Sequence, residues 1–156
     1  MKDINFEKLI VEQCNNLPAF YDRVKSIYNL FLDNFDTYQY LNQDMNYSAG
    51  QSINMYIDNN WGNVKNITDS SYCIKVWISS KSQFYCVKIF VKEKNLWCLT
   101  EITFTNKIFE VIHKIMELSG LREFPSDKLN EITLNNFTEL YGEPANFFEV
   151  FFSEID

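Results

Sequence analysis

At 156 residues with 46% hydrophobic and 17% aromatic side chains, the chain can bury a core without staples, which excludes a disordered or low-complexity protein. A formal charge of −7 with no long basic stripe argues against nucleic acid as a partner. The charged start Met1-Lys-Asp-Ile-Asn-Phe-Glu and the lack of an apolar run of membrane length argue against a signal peptide or span, so a cytoplasmic location is expected.

The front third reads as helical. Phe6, Leu9, Ile10 and Cys14 are spaced for a short helix capped by Asn5, and Pro18 restarts the chain. Phe20, Val24, Ile27, Tyr28, Phe31 and Phe35 then mark one stripe of a longer helix. Tyr38, Leu41 and Met45 suggest a further short helical stretch. From Gln51 the period changes to two: Ile53, Met55 and Ile57 alternate with Asn54 and Tyr56, and Asp58-Asn-Asn-Trp-Gly62 is a turn signal.

Three more strands follow, and their turns set a register. The polar loop Ser80-Lys-Ser-Gln83 places Ile78 opposite Tyr85, Val76 opposite Val87, Ile74 opposite Ile89 and Tyr72 opposite Val91. A two-residue turn at Lys94-Asn95 puts Glu93 opposite Leu96, and the apolar face continues through Cys98, Thr100, Ile102 and Phe104. The other face carries Cys73, Lys75, Trp77, Phe84, Cys86, Lys88, Phe90, Trp97, Leu99 and Glu101, with Lys75, Lys88 and Glu101 in one row. Aromatics with charges between them suit a protein contact surface. The alternative is that a helix or the C-terminal segment covers this face and the lysines reach past it along their methylene stems.

After Phe104 a helix is expected over about Lys107 to Ser119, ended by Gly120 and Leu121 in a Schellman motif. Asn136 to Tyr141 suggests a helical turn, and Pro144 fits the first position of a helix whose Phe147, Phe148, Phe151, Phe152 and Ile155 form a stripe. Phe147-Phe-Glu-Val-Phe-Phe152 also fits a terminal strand; helix is the favoured reading. The expected fold is a single α+β domain over 1–156: N-terminal helices, an antiparallel meander of about four strands, then a helix and an acidic, helical C-terminal segment.

Charge is uneven along the chain. From Leu121 onward eight acids face only Arg122 and Lys128, a net of −6, which leaves −1 for residues 1–120. Such a segment suits a basic protein partner through long-range attraction, and Glu139, Glu143 and Glu149 are its candidate contacts. With Trp77, Phe90, Lys75 and Lys88 of the second sheet face they complete the expected partner-binding set.

Catalytic signatures are missing from the sequence. There is no glycine-rich phosphate loop, no nucleophile elbow and no HExxH. His113 has Glu110 and Glu117 on one helical face, an arrangement more typical of an exposed charge pair than of base catalysis. Four cysteines lack any CxxC pair and read as unpaired thiols in a reducing compartment, so neither cofactor nor metal is expected.

In layout and composition the whole chain resembles the bacterial immunity proteins that neutralise contact-dependent growth inhibition toxins. No motif carries the resemblance, so it transfers no functional residue. It implies a non-enzymatic antitoxin acting by protein–protein interaction, acidic because the nuclease-type toxin domain it binds is basic. The alternative is a small-ligand-binding or enzymatic domain with a pocket between helices and sheet.

Overall fold

The computed structural model describes residues 5–9, 21–42, 50–79, 82–100, 107–137 and 142–153. It is an α+β fold. Its elements are α1 (Phe6–Leu9), α2 (Tyr21–Asn34), β1 (Gln39–Asn42), β2 (Gly50–Ile57), β3 (Tyr72–Ser79), β4 (Phe84–Glu93), β5 (Leu96–Thr100), α3 (Lys107–Leu118), β6 (Arg122–Glu123), β7 (Ile132–Phe137) and β8 (Pro144–Asn146), with a closing π-helical turn at Glu149–Ser153.

Strands β1 to β5 run antiparallel in sequence order, and β6 adds a short parallel pairing beside β4 at Phe84 and Tyr85. The register expected from the turns is the one observed: Tyr72 faces Val91, Ile74 faces Ile89, Val76 faces Val87, Ile78 faces Tyr85, and Glu93 faces Leu96. Lys94 and Asn95 both take positive φ, 49° and 66°, as a two-residue turn matched to strand twist requires. Ile102, Phe104 and Glu101 lie outside the described residues.

One sheet face packs against α2 and α3. Ile53, Met55 and Ile57 join Ile74, Val76 and Ile78 and, from the helices, Val24, Ile27, Phe31, Phe109, Ile112, Ile115 and Met116 in one core. Helix α3 ends as its sequence signal specifies. Gly120 adopts φ 79°, Leu121 N–H donates to Met116 O at 2.9 Å and Gly120 N–H to Glu117 O at 3.0 Å, the paired bonds of a Schellman ending. At α1, Asn5 Oδ1 accepts Lys8 N–H at 3.1 Å, the expected cap. Cys14 lies outside the described residues.

Three expectations are corrected. Tyr38 and Leu41 belong to an edge strand and its approach, not to a helix; Met45 lies outside the described residues. Tyr40 pairs with Asn54 and Leu41 with Ile53, while Gln39 Nε2 reaches back to the carbonyls of Phe31 and Phe35 at 3.2 and 3.1 Å and closes the end of α2. Four residues cannot distinguish a period of two from one of 3.6, and the unpaired edge of β2 decides in favour of strand. Asn136 lies in β7 rather than in a helical turn, and residues 138–141 are outside the described set.

The third correction concerns Pro144, which opens strand β8 instead of a helix. Helical winding begins at Phe147, because Asn146 and Glu149 form a reciprocal cap: Glu149 N–H donates to Asn146 Oδ1 at 2.8 Å and Asn146 N–H to Glu149 Oε1 at 3.1 Å. Phe147 and Phe148 N–H donate to the carbonyls of Glu131 and Leu129, so the first turn leaves none of these donors unpaired. From this helical start Phe147, Phe151 and Phe152 are buried and Phe148 is half-buried; Ile155 lies outside the described residues. Phe147, Phe151 and Phe152 form a second core with Phe84, Cys86, Phe124 and Leu129, and Phe6 of α1 packs on its edge. Phe124 sits at its centre, with ring centroids 4.6 Å from Phe6, 5.3 Å from Phe84 and 5.2 Å from Phe151.

This second core meets the sheet where β2 begins. A methyl group on Gly50 would lie 2.9 Å from Phe152 Cα and closer still to its carbonyl oxygen, both backbone atoms. Gly50→Ala must therefore push the terminal turn off the sheet, and is expected to lower the free energy of urea unfolding by about 1 to 3 kcal/mol. A change within a few tenths of a kcal/mol would show that the terminal turn is not seated there.

Candidate protein-contact surfaces

The second sheet face is divided. Over its Phe84 end lies the C-terminal segment: Trp77 meets Phe148 edge to face at 5.4 Å, and Phe84 meets Phe151 at 5.3 Å. Trp77 is thus half-buried packing material, and its Nε1 donor has no hydrogen-bond partner among the described residues. A different cluster packs the other end. There Tyr40, Tyr56, Phe90 and Trp97 group with Val64 and Cys73, and Leu99 beside them is 58% exposed.

Lysines stand at the boundary between the two halves. Lys75 and Lys88 are direct ladder partners. Lys75 Nζ lies over the rings of Trp77 and Phe90 at 5.2 and 5.6 Å, and Lys88 Nζ lies over Phe148 at 3.5 Å. Burial, reinforced by the neighbouring Lys75 charge, pushes the Lys88 ammonium below its usual range. The structure therefore brings together four of the expected contact residues, Lys75, Trp77, Lys88 and Phe90, with Phe148 as a fifth component.

The acidic candidates sit apart from them. Glu143 is exposed beside β8, Glu149 is half-buried with its carboxylate engaged in the Asn146 cap, and Glu139 lies outside the described residues. Beside Glu143 the β7–β8 hairpin presents a surface that the acidic pattern alone did not reveal. Ile132, Leu134 and Phe137 are 59%, 77% and 60% exposed, while Thr133 between them is buried and donates to Ala145 O at 2.7 Å. The alternation of Ile132 and Leu134 about Thr133 is the sequence signal, and three residues are too short a run to stand out. Glu7 Oε1 accepts Leu134 N–H at 2.9 Å, which ties α1 to this strand and blocks its edge at that residue.

His113 has partners distant in sequence. Its Nδ1 lies 2.5 Å from the Tyr85 hydroxyl and 3.9 Å from Glu123 Oε2, so β4 and β6, not Glu110 or Glu117, supply its nearest polar contacts. Burial raises the Tyr85 phenol, with Glu123 and Glu117 adding to the shift. A protonated phenol beside an imidazole is a structural hydrogen bond at neutral pH. Among the described residues no cluster of three or more His, Cys, Asp or Glu could hold a metal ion, and no helix is long and apolar enough to cross a membrane.

Comparison with protein-family models, curated proteins and solved structures finds no match to this chain. Its function has to be argued from its own surfaces.

The described cysteines, Cys73, Cys86 and Cys98, are free thiols, and Cys14 lies outside the described set. Burial pushes the Cys73 thiol from the ordinary 9.0 up to about 11 and moves Cys86 in the same direction. A raised thiol pKa means the native state holds its proton where the unfolded chain has released it. Stability is therefore undiminished below pH 9 and falls as pH rises from 9 towards 11. Urea midpoints measured across this window should decline, and Cys73→Ala should flatten the slope. In the native protein at pH 8, Cys73 and Cys86 should resist a thiol reagent that labels both after unfolding; rapid native labelling of either would contradict their burial.

Proposed function

We propose that the protein is a non-enzymatic, cytoplasmic protein-binding inhibitor: an immunity protein that neutralises a basic, nuclease-type toxin domain by direct binding. The β7–β8 hairpin carries this reading. Ile132, Leu134 and Phe137 project beyond half exposure from a region whose last 36 residues hold a net charge of −6. Apolar anchors inside an acidic field combine contact area with long-range attraction, the pairing that serves fast and specific association with a cationic protein. Blocking of the β7 edge by Glu7 favours recognition through side chains over strand addition.

The gene immediately upstream is the first place to seek the partner, because an immunity gene is expected to follow its toxin. With that product in hand, replacing Glu131, Glu139 and Glu143 by Gln should slow association about tenfold at low salt and much less at high salt. Glu149 is left intact because its carboxylate closes the terminal cap. Leu134→Ala and Phe137→Ala should instead speed dissociation, each by about tenfold or more if they are anchors. Unchanged rates in both series, measured by stopped-flow mixing, would remove the hairpin from the interface.

A further inference from the structure

We infer that the free edge of β5 is an interface on which a second copy of the chain adds its own β5, antiparallel about a two-fold axis at Cys98. β5 ends the run of strands, and β6 meets β4 at Phe84 and Tyr85, clear of the residues that β5 pairs. The positive-φ turn at Lys94 and Asn95 makes Glu93 and Leu96 a hydrogen-bonded pair, and such pairs alternate along an antiparallel ladder. Leu96, Cys98 and Thr100 therefore aim their N–H and C=O groups at β4. Those of Trp97 and Leu99 point outward, and among the described residues nothing takes them up.

This edge lacks the devices that usually prevent pairing. Leu96-Trp-Cys-Leu-Thr100 has no charge, no proline and no bulge. Leu96 and Leu99 are 68% and 58% exposed. At the opposite edge of the sheet the approach to β1 is tied to the chain, with Tyr38 N–H donating to Val64 O at 2.8 Å.

The residues of the strand select the occupant. Outward groups must meet outward groups, and in the register centred on Cys98 Trp97 of each copy faces Leu99 of the other, so every outward group of the described strand is engaged. Each of these pairs exchanges two hydrogen bonds and sets an aromatic ring beside an aliphatic side chain. Leu96 then faces Thr100, and no charges are opposed. Net charge permits the approach as well: residues 1–120, which hold this edge, sum to −1, whereas the acidic surplus lies from Leu121 onward. The edge is separate from the β7–β8 hairpin, and the inference does not rest on the toxin reading.

In this register Cys98 faces its own copy at a non-hydrogen-bonded position, where Cα atoms stand about 4.5 Å apart, close enough for a disulfide. Diamide, which is reduced as two thiols join, should therefore link native copies through Cys98, and Cys98→Ser should abolish the link. A ladder this short gives weak association, so sedimentation of the reduced full chain should show dimer growing in between about 10 µM and about 1 mM, with the Trp97 and Leu99 amide NMR signals moving over the same range. Leu99→Lys should weaken self-association at least about tenfold and leave the urea midpoint unchanged, because the side chain is already exposed. A chain that stays monomeric at about 1 mM would overturn the inference. So would a dimer that Leu99→Lys leaves intact, a link that survives Cys98→Ser, or a markedly lower urea midpoint in Leu99→Lys, which would place Leu99 inside the fold.

Discussion

The pairing of Tyr72–Ser79 with Phe84–Glu93 fixes which side chains enter the helix-covered core and which are left for everything else. With Ile74 against Ile89 and Val76 against Val87, one face is apolar without interruption, and helices α2 and α3 cover it. A slip of β3 by one residue would carry Lys75 into that core and expel Ile74, Val76 and Ile78. Each expelled side chain forfeits about 1.5 to 3 kcal/mol of burial, and a buried unpaired ammonium costs several more, so a competing register loses an amount comparable to a small domain's whole stability. Positions of the charged and aromatic residues on the opposite face follow from that exclusion.

The opposite face is then shared between two packed clusters. The terminal phenylalanines need a surface, and Phe84, Cys86 and Trp77 provide one, with Phe124 and Phe6 completing the layer. Gly50 permits the close approach of Phe152 that seats this layer on the sheet. The segment turns at Asn146 and reaches Lys88 with Phe148, beyond which Phe90 and Trp97 pack in a third cluster and Leu99 stays exposed, while its own hairpin lifts Ile132, Leu134 and Phe137 into solvent. One packing event thus buries one half of the face and sets the hairpin surface in solvent.

Much of this was legible in the sequence, and the legible parts share a cause. The β3–β4–β5 register was readable because long alternating runs met short polar turns, and α2 and α3 because their stripes extended over three turns or more. The α3 ending was readable because Gly120 and Leu121 carry a motif whose geometry follows from the residues themselves. Short elements were not readable. Gln39–Asn42 is a strand because β2 offers an edge, a tertiary cause with no local signal. The switch from strand to helix at Asn146 did have a local signal in the Asn146–Glu149 cap, but Pro144 is an equally good helix opener and stands earlier. Among the site residues, Lys75, Lys88 and Phe90 followed from strand parity. That Trp77 lies beneath Phe148 depended on where the tail lands, and the exposed hairpin depended on β7 forming at all.

The central claim is that the terminal phenylalanine segment divides the sheet's second face, with Lys88 held against Phe148 at 3.5 Å along the dividing line. A cation seated over a ring at that distance lies inside the ring's shielding cone. Carbon-detected or carbon-resolved NMR of the Lys88 side chain in the free protein should therefore find its Cε protons displaced strongly upfield, and Phe148→Leu should return them to ordinary positions while the chain stays folded. Ordinary lysine shifts in the natural protein would contradict the account, because Phe148 would not then lie over the sheet and the two halves of the face would not be distinct.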